Sequence, residues 1–411
     1  MMKIGIIGGG AAGIAAALEA SKNGAQVLLL DANSVLGRKL SVTGSGRCNI
    51  TNMHADDADK YTCREKTALK KILSQFEPDK LIAFLQDAGI PTYATSDGWV
   101  YPLSNSASNV ATILEKRLRT QGAEIHLQTL ITDIRIKSGG FILTTANPDV
   151  SYHAECVIVA TGSPAFPQSG ARDNLYEIFQ RMGHTIRPVL PALAPILTDP
   201  RPLHKLQGVR LDAGVQLLHD GQVLASTKGN IIFTRWGING PGVMDLSHLV
   251  SQNANKRLTL CINLIPYQES ALMQMLSNKA NEKMPLLACL LAFLPAKAAH
   301  FMLKNSGMQE DLTLKETTHA EKQHILHTLK SIEVEVRGTR EFNHSQLSTG
   351  GIPLSEIDTN SMQSKIIGGL YFAGEILDVL GPCGGYNLHW AFASGILAGR
   401  SATTLPHPAA L

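Results

Sequence analysis

Apolar residues enter the chain as a short block, Ile4-Gly5-Ile6-Ile7, which breaks at Gly8-Gly9-Gly10-Ala11-Ala12-Gly13 and resumes in an alanine-rich stretch to Asn23. The block reads as a strand and the stretch as a helix, with Val27 to Leu30 the next strand. Together they make a β-turn-α-β unit within about 30 residues. Amphipathic spacing predicts helices over 66–88 and 106–121. Leu127 to Ile136 and Phe141 to Thr145 flank Ser138-Gly139-Gly140 and read as a hairpin. Cys156 to Ala160 is continuously apolar, as a strand buried on both faces requires.

From about residue 190 the texture changes. Pro188, Pro191, Pro195, Pro200 and Pro202 mark a linker, followed by alternating runs at 208–234 and 257–264 that predict an antiparallel unit. Residues 268–330 are rich in Leu, Ala, Lys, Met and His at helical spacing, and Met284 to Leu294 reads as a buried helix too short to span a bilayer. Ile332 to Val336 alternates as a strand again, Gly369 to Gly374 is a strand ending in Gly-Glu375, and 387–400 is helical in composition. The expected organisation is a Rossmann-like α/β domain of the glutathione-reductase type over 1–190 and 353–411. Into it are inserted an antiparallel β-barrel-like domain (191–265, returning at 331–352) and a small helical subdomain (266–330).

Composition sharpens this in one respect. The 411 residues carry 37 basic and 34 acidic side chains, so a formal charge of +3 neither requires nor excludes nucleic acid. The 36 glycines, however, exceed the average of about seven per hundred and fall in clusters at 5–13, 37–46, 237–242, 350–351 and 368–385. Clustered glycine lets backbone approach a ligand. Six cysteines without a C-x-x-C pair argue against a disulfide framework or structural zinc, so a reducing cytoplasm and no metal site are expected. The N-terminus lacks the pattern of a signal peptide, and no membrane association is expected.

Gly8, Gly10 and Gly13 fit G-x-G-x-x-G: a tight turn, an approach to pyrophosphate, and close packing of helix on strand. Ala11 and Ala12 open the helix whose free N–H groups would meet the phosphate. Asp31 ends the second strand 18 residues beyond Gly13 (31 minus 13), where a carboxylate can accept the ribose hydroxyls. One such site does not separate NAD from FAD. Thr161-Gly162 and Gly374-Glu375, each ending a strand, would converge on an extended cofactor.

Here the chain resembles the two-dinucleotide-binding-domain flavoproteins, and within them the BaiN/RdsA-type group, also called aminoacetone-oxidase-like FAD-binding enzymes. The residues that carry the resemblance are the N-terminal GGGAAG, Gly37-Arg38-Lys39-Leu40, the segment Thr43 to Asn52, Pro191-Ala-Leu-Ala-Pro195, Phe233-Thr234 with Gly240-Pro241, Thr349-Gly-Gly351, and Leu370 to Trp390. It implies FAD with its adenosine at Gly8 to Gly13 and Asp31, and with its ring between the 41–52 loop (Gly46, Arg47, Asn49) and Gly384, Gly385, Tyr386, Asn387 and Leu388. Ile131, Glu375, Arg38 and Lys39 complete the expected set, although Arg38 and Lys39 also read as a solvated loop pair. A helix starting near Asn387 would aim N–H groups at the flavin.

Two positions depart from the family pattern. Trp99-Val-Tyr-Pro102 stands where Arg-Val-Phe-Pro is expected, and Arg235 where histidine or lysine is expected. For proton transfer the candidates are Cys383 and Tyr386, with Cys48 and His389 behind them. The remaining histidines, His184 among them, read as structural or exposed.

The resemblance implies an FAD-dependent oxidoreductase delivering hydride to an activated C=C bond, with NADH or NADPH as a transient donor because no second glycine fingerprint exists. Uridine of 23S ribosomal RNA, giving dihydrouridine, is the preferred substrate. A steroid enone, or oxidation of a small amine such as aminoacetone, is the alternative. An RNA-binding protein that uses FAD only to stabilise its fold is the non-enzymatic reading. For RNA speak Lys60, Arg64, Lys66, Lys70 and Lys71 on one stretch, and Arg201, Lys205 and Arg210 near the linker.

Overall fold

A computed structural model of the chain describes residues 1–170, 175–199, 201 and 203–404. The chain divides into two compact units, one of residues 1–190 and 347–411, the other of residues 191–346.

The first unit is built on a five-stranded parallel sheet. Its order is Leu370–Phe372, Cys156–Val159, β1 (Lys3–Ile7), β2 (Gln26–Leu30) and Glu124–His126. The central strands are apolar throughout because both faces are covered, one by helices and the other by an antiparallel sheet whose Leu143 and Ala154 reach β1 at Gly5: Ile4, Ile6, Leu28, Leu29, Val157 and Ile158 have no exposed surface. Helix α1 (Ala11–Lys22) follows β1 directly and is buried almost all round, which its five alanines in the first seven residues allow at little side-chain entropy cost. Against it lies the C-terminal helix Tyr386–Ala402. A Cβ on Gly395 would stand 2.2 Å from the Ala12 carbonyl oxygen, and one on Gly399 2.3 Å from that of Ala16. Glycine at these two positions is what lets the helices meet backbone to backbone.

Two three-stranded sheets also belong to this unit. One pairs Thr51–Asn52, Trp99–Pro102 and Thr92–Ala94; the other is the hairpin Ile131–Lys137 and Gly140–Thr145 extended by Ser151–Ala154. The stretch 66–88 is not one helix but two, Lys66–Leu73 and Pro78–Asp87, because Pro78 has no N–H to continue the first and instead starts the second.

The second unit contains a closed antiparallel barrel of six strands: Ile196–Thr198, Gly237–Asn239, Gln222–Phe233, Arg210–His219, Leu258–Asn263 and Ile332–Thr339. Between the last two runs a helical segment: Glu269–Ser277, Leu286–Leu291, Ala296–Asn305 and His319–Lys330. The apolar run at 284–294 becomes the helix Leu286–Leu291, with Leu286, Cys289 and Leu290 unexposed. The proline-rich stretch expected as a linker contains the strands Arg187–Ala192 and Ile196–Thr198, since proline is tolerated where a strand's N–H need not pair. Pro200 and Pro202 of that stretch, and the chain beyond Thr404, lie outside the described residues. Among the described residues no helix is long and apolar enough to cross a membrane.

Candidate functional site

At the β1–α1 turn the three glycines answer three different constraints. Gly8 has φ +101°, and a Cβ there would stand 2.4 Å from the Ala160 carbonyl oxygen; one on Gly13 would stand 1.8 Å from that of Gly8. Both are closed by protein. Around Gly10, in contrast, nothing lies within 4 Å of the added Cβ, and its φ of −78° suits any residue. Gly10 is the N-cap of α1 and makes no side-chain cap, and the first intrahelical amide bond is Ile14 N–H to Gly10 O, 2.9 Å. The amides of Ala11, Ala12 and Gly13 therefore have no intrahelical acceptor and face an open approach, the arrangement a pyrophosphate needs.

Asp31 is buried one residue past β2. Its carboxylate accepts from Gly9 N–H at 2.5 Å and Asn33 N–H at 2.6 Å. Burial raises its pKa above the usual carboxylate value, and the two amides work against the rise. Thr129 N–H donates to the Asp31 carbonyl at 2.8 Å, so the segment entering the hairpin at Ile131 runs beside Asp31, while the Ile131 side chain itself is in the core. Thr161 and Gly162 follow the strand Cys156–Val159, and Thr161 Cα would lie 3.0 Å from a Cβ on Gly8.

Gly374 comes within reach of the same turn: its added Cβ would be 2.9 Å from that of Ala12. The C-terminal helix clamps it, Ser394 Oγ accepting from Gly374 N–H at 2.9 Å and Trp390 Nε1–H donating to Gly374 O at 3.1 Å. Next to it Glu375 pairs with Lys39 at 2.6 Å and accepts from Ser163 Oγ–H at 2.5 Å and Ser348 N–H at 3.0 Å. Lys39 is thus tied to a carboxylate rather than held out in solvent, and Arg38 donates to Asn33 Oδ1 at 3.3 Å. Ser163 and Ser348 were not visible as site residues in the sequence; isolated serines carry no spacing signal.

A second cluster forms around the turn ahead of the C-terminal helix. Gly384 and Gly385 both have positive φ, and a Cβ on Gly385 would meet the Thr51 carbonyl oxygen at 2.4 Å. Asn52 Nδ2–H donates to Gly384 O at 3.1 Å, and Asn49, its amide nitrogen turned to the carbonyls, donates to Thr51 O and Val100 O. Asn387 is taken up locally: Oδ1 accepts from Gly381 N–H at 2.7 Å and Nδ2–H donates to Gly381 O at 2.8 Å, so it shapes the turn. Tyr386 is buried with its ring edge-on to Tyr61 at 5.7 Å; Leu388 and Cys383 are half-buried.

Trp99 flanks the turn, its indole 3.2 Å from a Cβ on Gly384, and Tyr101 lies 6.4 Å from Trp99. The exposed Arg47 rests 4.3 Å above the Tyr101 ring and donates to Tyr93 Oη and Asn105 Oδ1, while Gly46 beside it is open. Of the residues at 99–102, Tyr101 thus holds Arg47.

Two proton-transfer candidates are removed. His389 has no exposed surface, and burial pushes its pKa down to about 4. Its Nε2–H donates to the Phe76 carbonyl at 3.0 Å, which leaves Nδ1 to accept from Thr51 Oγ1–H at 2.9 Å; it is a neutral cross-link. Cys48 is fully buried and its thiol is pushed up to about 11 by burial, so no thiolate forms near neutrality. His184 is likewise structural, between Glu356 and Ser364. Arg235 is exposed in the second unit. Among the described residues no three His, Cys, Asp or Glu side chains group as a metal site.

The two clusters are related by the helix packing. Ala12 meets Gly395 and Ala16 meets Gly399, so α1 and the C-terminal helix run parallel. The C-terminal helix begins at Tyr386, nine residues before the level of Ala12 (395 minus 386), or about 13 Å at 1.5 Å per residue. Two helix N-termini staggered along one direction fit a long ligand, with phosphate at one and a ring that gains negative charge at the other. The open Gly10 cradle and the glycine turn at 384–385 fit FAD.

Comparison with known proteins agrees. The HI0933-like protein Rossmann domain family matches residues 2–401. A 3-dehydro-bile acid delta(4,6)-reductase of Clostridium scindens is 33% identical over 99% of this chain and 100% of its own. A ribosomal RNA dihydrouridine synthase of Escherichia coli is 28% identical over 95% of each chain. Among solved structures, a 3-ketosteroid-delta4-(5alpha)-dehydrogenase of Rhodococcus jostii shares the fold, with TM-score 0.53 at 15% identity over 98% of this chain and 97% of the other.

Proposed function

This chain belongs to the HI0933-like Rossmann family of FAD-dependent oxidoreductases, and from that premise we propose that it reduces the C5=C6 bond of a uridine in 23S ribosomal RNA to dihydrouridine. The observation that carries the cofactor part is the pair of parallel helix N-termini, one at the open Gly10 cradle and the other behind Gly385. Gly8, Gly10, Ala11, Ala12 and Gly13 would hold the pyrophosphate, with Asp31 at the ribose and the Lys39–Glu375 pair beside the phosphates. When bound, FAD supplies the hydride, and NADH or NADPH is the proposed source of electrons.

The chain's own contribution is the proton. Hydride addition to the β carbon of a conjugated carbonyl leaves an electron pair at the α carbon, which must be protonated. Cys383 is half-buried in the glycine turn and is the proposed donor, giving its Sγ proton to that carbon. Tyr386, packed against Tyr61, orients the turn. Cys383→Ser should slow product formation at least tenfold with flavin content unchanged. Near-normal turnover would return Cys383 to a packing role.

A steroid enone presents the same electronic problem, and the 33%-identical bile acid reductase favours it as the second reading. Mass spectrometry of 23S ribosomal RNA with and without the gene separates the two: the uridine reading expects one dihydrouridine to disappear in the deletion strain, and an unchanged modification map removes it.

A further inference from the structure

The sequence offers several basic residues for contact with RNA, and the structure sorts them. Lys66 is consumed locally, its ammonium donating to the carbonyls of Ala58, Asp59 and Tyr61. Arg201 forks onto Asp199, and Arg210 donates to Asn230 Oδ1. Lys60, Arg64, Lys70 and Lys71 are exposed in the first unit. Lys205 is exposed as well, and the fold of the second unit gives it company that its sequence neighbours do not. The short turn His204–Leu206 packs against the helix Ala296–Asn305. That helix buries Ala298, Ala299, Phe301, Met302 and Leu303 and exposes Lys297, His300 and Lys304, and it contains no acidic residue.

The turn carrying Lys205 packs on the helix carrying Lys304, and the Lys304 charge holds the Lys205 ammonium below its ordinary pKa. Lys297 reaches round the same turn to donate to the Gln207 carbonyl. Among the described residues none of the three lysines makes an ion pair, and all three are exposed. The Glu310 carboxylate, which reaches this helix, is taken up by His300 at 2.7 Å, so the like charges of the lysines repel, and an anion placed between them removes the repulsion. Lys297 and Lys304 stand two helical turns apart, about 10 Å, on a ridge with no exposed apolar residue between them. A repeating phosphate chain fits such a row better than a protein surface, which would ask for an apolar centre.

We propose that Lys205, Lys297 and Lys304 form a docking surface for the phosphodiester backbone of RNA. The proposal rests on the reading of the substrate as ribosomal RNA, and its test keeps the two apart. Binding of FAD-loaded wild type and of the Lys205→Ala/Lys304→Ala double variant to a fragment of 23S ribosomal RNA is measured at rising salt. The wild type should bind with a steep salt dependence. The double variant should bind about tenfold more weakly, with a log Kd versus log[salt] slope shallower by about 1.4 to 1.8, because two fewer phosphates are neutralised. Both substituted side chains are exposed, so circular dichroism and flavin content should not change, and Lys304→Glu should weaken binding further. Equal affinity and slope for wild type and double variant would overturn the surface, as would a wild type that binds no RNA. Dihydrouridine is assayed separately in the same RNA: weakened binding in the double variant, with no dihydrouridine made by the wild type, would keep the surface and end the uridine reading.

Discussion

Gly10→Val should yield a folded protein that no longer retains FAD. A Cβ at this position meets no protein atom within 4 Å, and φ −78° with ψ −170° is comfortable for a β-branched residue, so the fold should be retained. What it loses is the approach to the amides of Ala11, Ala12 and Gly13, because the isopropyl group occupies the space through which phosphate would reach them. Cofactor affinity should fall by roughly 100-fold or more, about 2.8 kcal/mol. Flavin per chain after purification and added-FAD titration measure this. The contrast is Gly13→Ala, whose methyl would stand 1.8 Å from the Gly8 carbonyl oxygen and should cost folding instead. A Gly10→Val protein that copurifies with a full complement of FAD would show that the cofactor lies elsewhere.

The second large effect concerns pH. His389 is neutral in the folded chain with a pKa of about 4, against about 6.5 when unfolded. Between these values the unfolded chain binds more protons than the folded one. Stability from this group is therefore fully present above about 6.5 and is lost as pH falls towards 4. The shift corresponds to about 3 kcal/mol. In His389→Gln the side chain still donates to Phe76 O and accepts from Thr51 Oγ1–H but does not titrate, so the difference between wild-type and variant unfolding free energies should change by that amount across the window. Asp31, whose pKa is raised by burial, titrates in both proteins and cancels. A difference independent of pH would mean that the imidazole is hydrated.

The strand–glycine–helix opening was legible because every constraint on it is local: Gly8, Gly10, Gly13 and Asp31 lie within one β-turn-α-β unit. The barrel was legible as alternation, since its strands each bury one face. What escaped the sequence is tertiary. Nothing local announces that Gly395 and Gly399 face Ala12 and Ala16, yet this contact sets the stagger of the two helix N-termini. The same holds for Ser163 and Ser348 at Glu375, brought together across 185 residues. His389 looked available for catalysis because sequence carries no burial, and Asn387, expected at the flavin, spends its amide on the 381–382 turn. Residues 66–88 were joined by their common amphipathic period, although Pro78 at the head of the second helix was there to be read.

We propose that this chain carries reducing equivalents on bound FAD to the C5=C6 bond of a uridine in ribosomal RNA. The most direct test is a single anaerobic turnover: holoenzyme reduced with one equivalent of NADPH or NADH, mixed with unmodified 23S ribosomal RNA, and followed by flavin absorbance and by mass spectrometry of the RNA. The flavin should reoxidise with one dihydrouridine formed per flavin. A flavin that stays reduced in the presence of the RNA, while a steroid enone reoxidises it, would rule out uridine as the acceptor.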